Sequence, residues 1–106
     1  MPYIFITSVY PSHKVDEVVK KYLEIIRKYP PDPSLGKSIV SATKLVEQGV
    51  KGIIAYEVKE GKFEEAMNRW MRSIGEFRNI EGYECSIEVW ATAAEAFGSI
   101  GMKPPE

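Results

Sequence analysis

Two segments of the chain carry apolar residues at helical spacing, and each lies between segments with the composition of β-strands. The apolar positions recur at intervals of three and four through residues 15–29 and 63–77, which predicts two amphipathic helices. β-Branched and aromatic residues dominate four further segments, which are predicted to be strands: 3–10, 38–47, 50–59 and 83–90. The predicted order is therefore β-α-β-β-α-β.

Proline, glycine and capping residues mark the ends of these segments. Pro30 ends the first helix, because proline lacks the amide donor and restricts the residue before it. Gly49 marks a reversal between the second and third strands, which predicts a hairpin. Thr92 and Glu95 have the spacing of a capping box, so a short C-terminal helix is expected there, with Gly101 as its stop.

This order of elements in 106 residues fits one ferredoxin-like α+β domain that spans residues 1–106. Both helices are expected to pack on one face of a four-stranded antiparallel sheet. The fourth strand alternates sharply, and its apolar side suits the helices: Tyr83, Cys85, Ile87 and Val89. The other side of that strand then faces away from them: Glu84, Ser86, Glu88 and Trp90.

The side of the sheet away from the helices is expected to be apolar too. The first strand is apolar in both alternations, so the sequence leaves open which pair faces away, Phe5 and Val9 or Ile4 and Ile6. Further apolar residues are expected on the same side: Val40, Val46 and Ile53. Six such side chains represent on the order of 10 kcal/mol when buried, against roughly 4–15 kcal/mol for association. We therefore expect a homodimer or a larger homo-oligomer, unless the C-terminal helix covers this side.

The order of elements, the size and the segment EGKFEEA at 60–66 resemble the dimeric α/β-barrel families. These include the stress-responsive A/B-barrel proteins and the antibiotic-biosynthesis monooxygenases. The resemblance extends from Tyr3 to about Trp90. It implies two sheets that face one another and enclose a pocket, which serves catalysis in some members only.

Composition excludes several classes of function. The net charge is −1, which gives no electrostatic reason to expect nucleic acid or an anionic membrane as a partner. One cysteine, Cys85, allows neither an intrachain disulfide nor a cysteine-based metal site. No signal peptide and no membrane span is recognisable, so a cytoplasmic protein is expected. Lys and Glu outnumber Arg and Asp, a bias typical of thermophile proteins.

Three residues are candidates for catalysis. His13 is the only histidine and follows the first strand, where a general base near neutral pH would border a pocket. Glu57 and Glu88 are predicted to face the uncovered side, where an enclosed carboxylate has a raised pKa and moves protons. An exposed histidine and solvated strand carboxylates are the simpler interpretations. No metal site and no cofactor are predicted.

Five residues are candidates for ligand binding on the strands: Phe5, Tyr10, Tyr56, Glu84 and Trp90. Aromatic strand residues are more often core or dimer contacts, so that interpretation stays open beside the pocket. The leading hypothesis is a homo-oligomeric domain that binds a small molecule between paired sheets. The alternatives are a cofactor-free, monooxygenase-like enzyme and an assembly module without a ligand.

Overall fold

The computed structural model describes residues 1–105 and shows an α+β structure with a four-stranded antiparallel sheet and three helices. The predicted order of elements is confirmed. Its bounds are β1 Tyr3–Tyr10, a 3₁₀ turn Ser12–Lys14, α1 Val15–Lys28, β2 Gly36–Val46, β3 Gly49–Val58, α2 Phe63–Gly75, β4 Glu84–Trp90 and α3 Ala93–Gly98.

The strands lie in the order β2-β3-β1-β4, so β1 is central and β2 and β4 form the two edges. β1 pairs with β3 from Tyr3 opposite Glu57 to Tyr10 opposite Val50. It pairs with β4 from Tyr3 opposite Trp90 to Val9 opposite Glu84. Because residues directly opposite each other in antiparallel strands share a face, this register fixes the side of the sheet to which every strand residue belongs.

Glycines allow the β2–β3 hairpin to close tightly at both ends. Gly49 follows the turn with φ of +137°, and a Cβ there would meet the Tyr10 carbonyl oxygen at 2.3 Å. Gly36 begins β2 with φ of +154°, and a Cβ there would meet the Glu57 carbonyl oxygen at 2.2 Å. Only glycine fits these positions without displacing the neighbouring strand. A register shift between Ser38 and Val40 leaves one extra residue in β2.

The inner side of β1 carries the main core. Ile4 is 0% exposed and Ile6 is 2% exposed, and they form a cluster with Tyr56, Val58 and Ala66. Trp70 and Ile74 of α2 pack against this cluster. Ile4 and Ile6 therefore face the helices, and the alternative that the sequence left open is settled: Phe5 and Val9 face away.

A second cluster joins α1 to the segment that follows α2. Val18 and Ile25 are buried against Phe77 and Ile80, with Tyr10 at the edge of the cluster. Tyr10 shares the Ile4 side of β1, so α1 and α2 pack on the same face of the sheet. The acidic residues in the first turn of α1 and the basic residues in its last turn complement the helix dipole.

The predicted capping box of α3 is confirmed. The Thr92 hydroxyl accepts a hydrogen bond from the Glu95 amide, and the Glu95 carboxylate accepts one from the Thr92 amide. The N-terminal ammonium of Met1 lies 3.0 Å from the same carboxylate. Gly101 has φ of +73°, the left-handed conformation expected of a helix stop.

Candidate functional site

The side of the sheet away from α1 and α2 is the first candidate site, and it is called the open face below. The strand register arranges it as four rows that cross the sheet from β2 to β4. The two end rows are Lys37–Glu57–Tyr3–Trp90 and Lys44–Lys51–Val9–Glu84. The two middle rows are Val40–Ala55–Phe5–Glu88 and Ala42–Ile53–Thr7–Ser86.

Large apolar side chains of the open face remain exposed to solvent. Trp90 is 51% exposed, Val40 is 49% exposed and Ile53 is 39% exposed. These residues lie on three different strands, so the apolar surface is continuous across the sheet. Monomeric proteins seldom leave such a patch uncovered, and patches of this kind mark binding or association surfaces.

Three aromatic rings form a cluster at one end of the open face. The Phe5 ring stacks on Trp90 with 5.5 Å between centroids and lies 6.2 Å from the Tyr3 ring. The two middle rows mix small side chains with larger ones: the small side chains are Thr7, Ala42, Ala55 and Ser86, and the larger ones are Val40, Phe5, Ile53 and Glu88. The open face therefore projects furthest at its aromatic end and is lower where the four small side chains lie.

The charged residues of the open face have no ion-pair partners within residues 1–105. Glu84 and Glu88 lie on β4, and Lys44 lies directly opposite Lys51 across β2 and β3. None of these four side chains takes part in a salt bridge of the described chain. Like charges directly opposite one another destabilise a sheet, so Lys44 and Lys51 form an uncompensated pair.

Five of the predicted site residues share the open face: Phe5, Glu57, Glu84, Glu88 and Trp90. Glu88 lies directly opposite Phe5, in the row beside the aromatic cluster. Glu57 lies opposite Tyr3 on the other flank of β1. Since β1 separates β3 from β4 and the two residues lie in adjacent rows, Glu57 and Glu88 are about 12 Å apart.

His13 lies away from these carboxylates. It is exposed within the 3₁₀ turn that follows β1, beyond the end of the strand at which Tyr10 pairs with Val50. Glu57 pairs with Tyr3 at the other end of β1, roughly 23 Å along the strand from Tyr10. One substrate group therefore does not reach both His13 and Glu57 within one subunit.

Tyr10 and Tyr56 lie on the helix side of the sheet, so the structure does not group them with Phe5 and Trp90. The Tyr10 ring stacks on Tyr83 with 5.9 Å between centroids. The Tyr56 ring meets the edge of Trp70 at 5.3 Å. Both rings belong to the packing under the helices.

A cleft on the helix side is the second candidate site, and the sequence did not predict it. It has a volume of about 530 Å³ and lies between α1, α2, β2 and β3. Its walls are mostly apolar or aromatic: Tyr22, Ile25, Ile26, Tyr29, Ile54, Tyr56 and Trp70. The signal in the sequence is the width of the apolar stripe of α1, since Val19 and Leu23 also remain exposed. The apolar stripe of α1 is therefore wider than the surface that α1 buries against the core.

Polar groups at one end of this cleft are engaged by the chain itself. The Arg69 guanidinium donates a hydrogen bond of 2.8 Å to the Tyr29 carbonyl oxygen and another to that of Pro30. The Asp32 carboxylate accepts hydrogen bonds from the Ser34 amide and hydroxyl, which lower the pKa of Asp32. Arg69 therefore fixes the connector between α1 and β2 to α2.

Two observations limit the chemistry of the described residues. Burial raises the pKa of the half-buried Cys85 thiol, which faces the helices and is therefore a weak nucleophile. No group of three metal-binding side chains comes together within residues 1–105.

None of the helices formed by residues 1–105 is both long enough and apolar enough to cross a bilayer.

Comparisons with known proteins address the fold alone. No protein-family model matches the sequence, and no curated protein does either. Among solved structures, the chain is similar to a de novo designed protein, Foldit4, with a TM-score of 0.53 and 15% sequence identity. The likeness covers 86% of this chain and 96% of the designed chain. The similarity at this level of identity indicates a shared α+β architecture.

Proposed function

We propose that this chain is a small-molecule-binding domain that acts as a homodimer, with two copies paired through their open faces. The observation that supports this function is the exposure of Trp90, Val40 and Ile53 on one continuous surface opposite the helices. A second sheet of the same kind covers that surface. The two sheets then enclose the pocket.

The order of the elements and the central position of β1 between β3 and β4 support a ferredoxin-like fold for the subunit. Paired sheets of this fold are the arrangement of the dimeric α/β-barrel families. We assign the chain to that architecture as part of the same proposal.

The size of the open face supports a dimer of moderate affinity. Four strands spaced about 4.8 Å apart, with rows about 6.8 Å apart, give a face of roughly 500 Å² per subunit. The pair then buries on the order of 1,000 Å², the lower limit for a specific interface. A dissociation constant in the micromolar range follows, because the charged ends of the face contribute little burial energy.

The small residues in the middle rows of the open face support a pocket between the sheets. Paired sheets lie about 10 Å apart, and the small side chains of Ala42 and Ser86, at the two edges of the row that contains Ile53, fill only part of that space. Phe5 and Trp90 border this hollow at one end, and Glu88 supplies a carboxylate beside them. A flat apolar molecule with a hydrogen-bond donor fits this chemistry.

Sedimentation equilibrium between 1 and 100 μM tests the homodimer. The expected result is the mass of two chains at the upper concentration, and Ile53→Lys should shift the protein to single chains. Leu45→Lys is the matched control, because Leu45 is 82% exposed on the neighbouring strand but lies on the helix side of the sheet. A lone subunit at 100 μM, or equal effects of the two variants, contradicts the proposal.

Titration with Nile red, an uncharged fluorescent apolar probe, tests the pocket. Ala42→Phe should fill the hollow and abolish saturable binding of the probe while the dimer persists. Thr43→Phe, which adds the same ring on the opposite side of β2, should leave binding unchanged. If neither variant changes probe binding, the pocket is not between the sheets.

A further inference from the structure

The four corners of the open face carry unequal charges. Lys37 and Lys44 lie at the two ends of β2, and Trp90 and Glu84 lie at the two ends of β4. Lys37 shares a row with Trp90, and Lys44 shares a row with Glu84. One edge of the face is therefore positive at both corners, whereas the other edge is negative at one corner and aromatic at the other.

This distribution discriminates between the possible twofold axes of a face-to-face dimer. Such an axis lies in the plane between the two sheets, because the rotation must turn one face toward the other. An axis perpendicular to the strands places Lys37 over Lys44 of the partner subunit, and this repulsion opposes the attraction between Glu57 and Lys51 of the partner subunit that the same axis creates. The diagonal axis through Lys44 places Lys44 over Lys44 of the partner subunit. The diagonal axis through Lys37 and Glu84 places each of these residues over its own copy in the partner subunit.

We propose that the twofold axis runs parallel to the strands, so that Lys44 of each subunit faces Glu84 of the partner subunit. This inference rests on the proposed homodimer and specifies how its two copies are arranged. Of the four axes, this is the one that brings no like-charged corners together. The same rotation places Lys37 over the ring of Trp90 of the partner subunit, a favourable position for a cation.

The proposed contact also compensates the unpaired charges within each subunit. Lys44 lies opposite Lys51 and has no acidic partner among residues 1–105. The side chains of lysine and glutamate together span the roughly 10 Å between paired sheets. A carboxylate from the second copy therefore neutralises part of the charge that Lys44 and Lys51 concentrate on one corner.

Charge reversal tests the arrangement. Lys44→Glu alone and Glu84→Lys alone should each raise the dimer dissociation constant roughly tenfold, because each substitution turns two attractive pairs into two repulsive pairs. The double variant Lys44→Glu with Glu84→Lys should return within about threefold of the wild type. Both residues are exposed, so circular dichroism should show an unchanged fold. The effects of the single variants should shrink in 1 M NaCl, where charges are screened within about 3 Å.

The double variant Lys37→Glu with Glu84→Lys is the matched control. It has the same net charge, but it exchanges the charge of Glu84 with that of the other corner lysine, which faces Glu84 of the partner subunit only if the axis runs along a diagonal. It should remain at least tenfold weaker than the wild type. Rescue in this control instead of in the Lys44 pair assigns a diagonal axis and overturns the arrangement. A wild-type dimer without rescue in either pair rejects this arrangement but leaves the homodimer intact, whereas a monomeric wild type rejects both proposals.

Discussion

Ile4 and Phe5 are adjacent on β1 and face opposite sides of the sheet, so truncation of each one measures a different source of stability. Ile4 is fully buried under α2 within one subunit. Ile4→Ala should cost about 2–5 kcal/mol, which lowers the melting temperature by roughly 10–30 °C for a domain of this size. Because these contacts lie within one chain, the difference from the wild type should be nearly independent of protein concentration.

Phe5→Ala should behave differently. Within the subunit it removes the stack on Trp90, which is worth about 0.5–1.5 kcal/mol. In the dimer it also removes two buried rings, so the dissociation constant should rise roughly 100-fold or more. The melting temperature of the wild type should increase with concentration, and that increase should be lost in Phe5→Ala over the same range.

Thermal denaturation followed by circular dichroism, at 2 μM and at 200 μM, distinguishes the two effects. Relative to the wild type, Ile4→Ala should show the same loss of melting temperature at both concentrations, whereas the loss in Phe5→Ala should widen at the higher concentration. If both variants show the same loss at both concentrations, the outer side of β1 contributes no intersubunit contact. The open face is then not the dimer interface.

Three smaller predictions concern single groups. Burial raises the pKa of Tyr83 to about 12, so its absorbance at 295 nm should titrate above the ordinary tyrosine range. Since the folded pKa is raised, the stability that the neutral phenol contributes is fully present below about pH 10 and is lost as the pH rises through about 12. The hydrogen bond from Lys28 lowers the pKa of the Glu76 carboxyl, so its stabilisation is present above the ordinary carboxyl pKa and is lost as the pH falls through the lowered value; Lys28→Ala should raise that pKa in an NMR titration. Thr92→Ala removes the helix cap of α3 and should cost about 1 kcal/mol in urea denaturation, with no change in the dimer dissociation constant.

The sequence predicted the order of strands and helices because each segment has a clear period and each boundary carries a recognisable breaker. The alternation in β4 correctly separated Cys85 and Ile87, which pack toward the helices, from Glu84 and Trp90. The capping box at Thr92 was predicted for the same reason, since its signal lies entirely within four residues.

The orientation of β1 was not predictable, because both of its alternations are apolar. Register decided it: Ile4 pairs with Tyr56, and both belong to the buried cluster. The same non-local information separated Tyr56 from Phe5, since aromatic character alone does not identify a face. Met71 belongs to the apolar stripe of the second predicted helix, but it is 58% exposed, because that stripe is wider than the surface that α2 buries against the sheet.

The cleft on the helix side was not predictable for a related reason. Its volume depends on where α1 lies relative to β2, and the contacts of Val18 and Ile25 with Phe77 and Ile80 determine that position. No local pattern encodes this docking. The wide apolar stripe of α1 was the only feature of the sequence that indicated the cleft.

Isotope-filtered nuclear Overhauser spectroscopy on a mixture of ¹³C-labelled and unlabelled chains tests most directly whether the open face binds a second copy. At 500 μM, the methyl groups of Ile53 should show intersubunit contacts to Thr7 and Phe5 of the partner subunit. Contacts that arise instead from exposed residues of α1, such as Leu23, would place the interface on the helix side. The complete absence of intersubunit contacts would show that the open face remains in solvent.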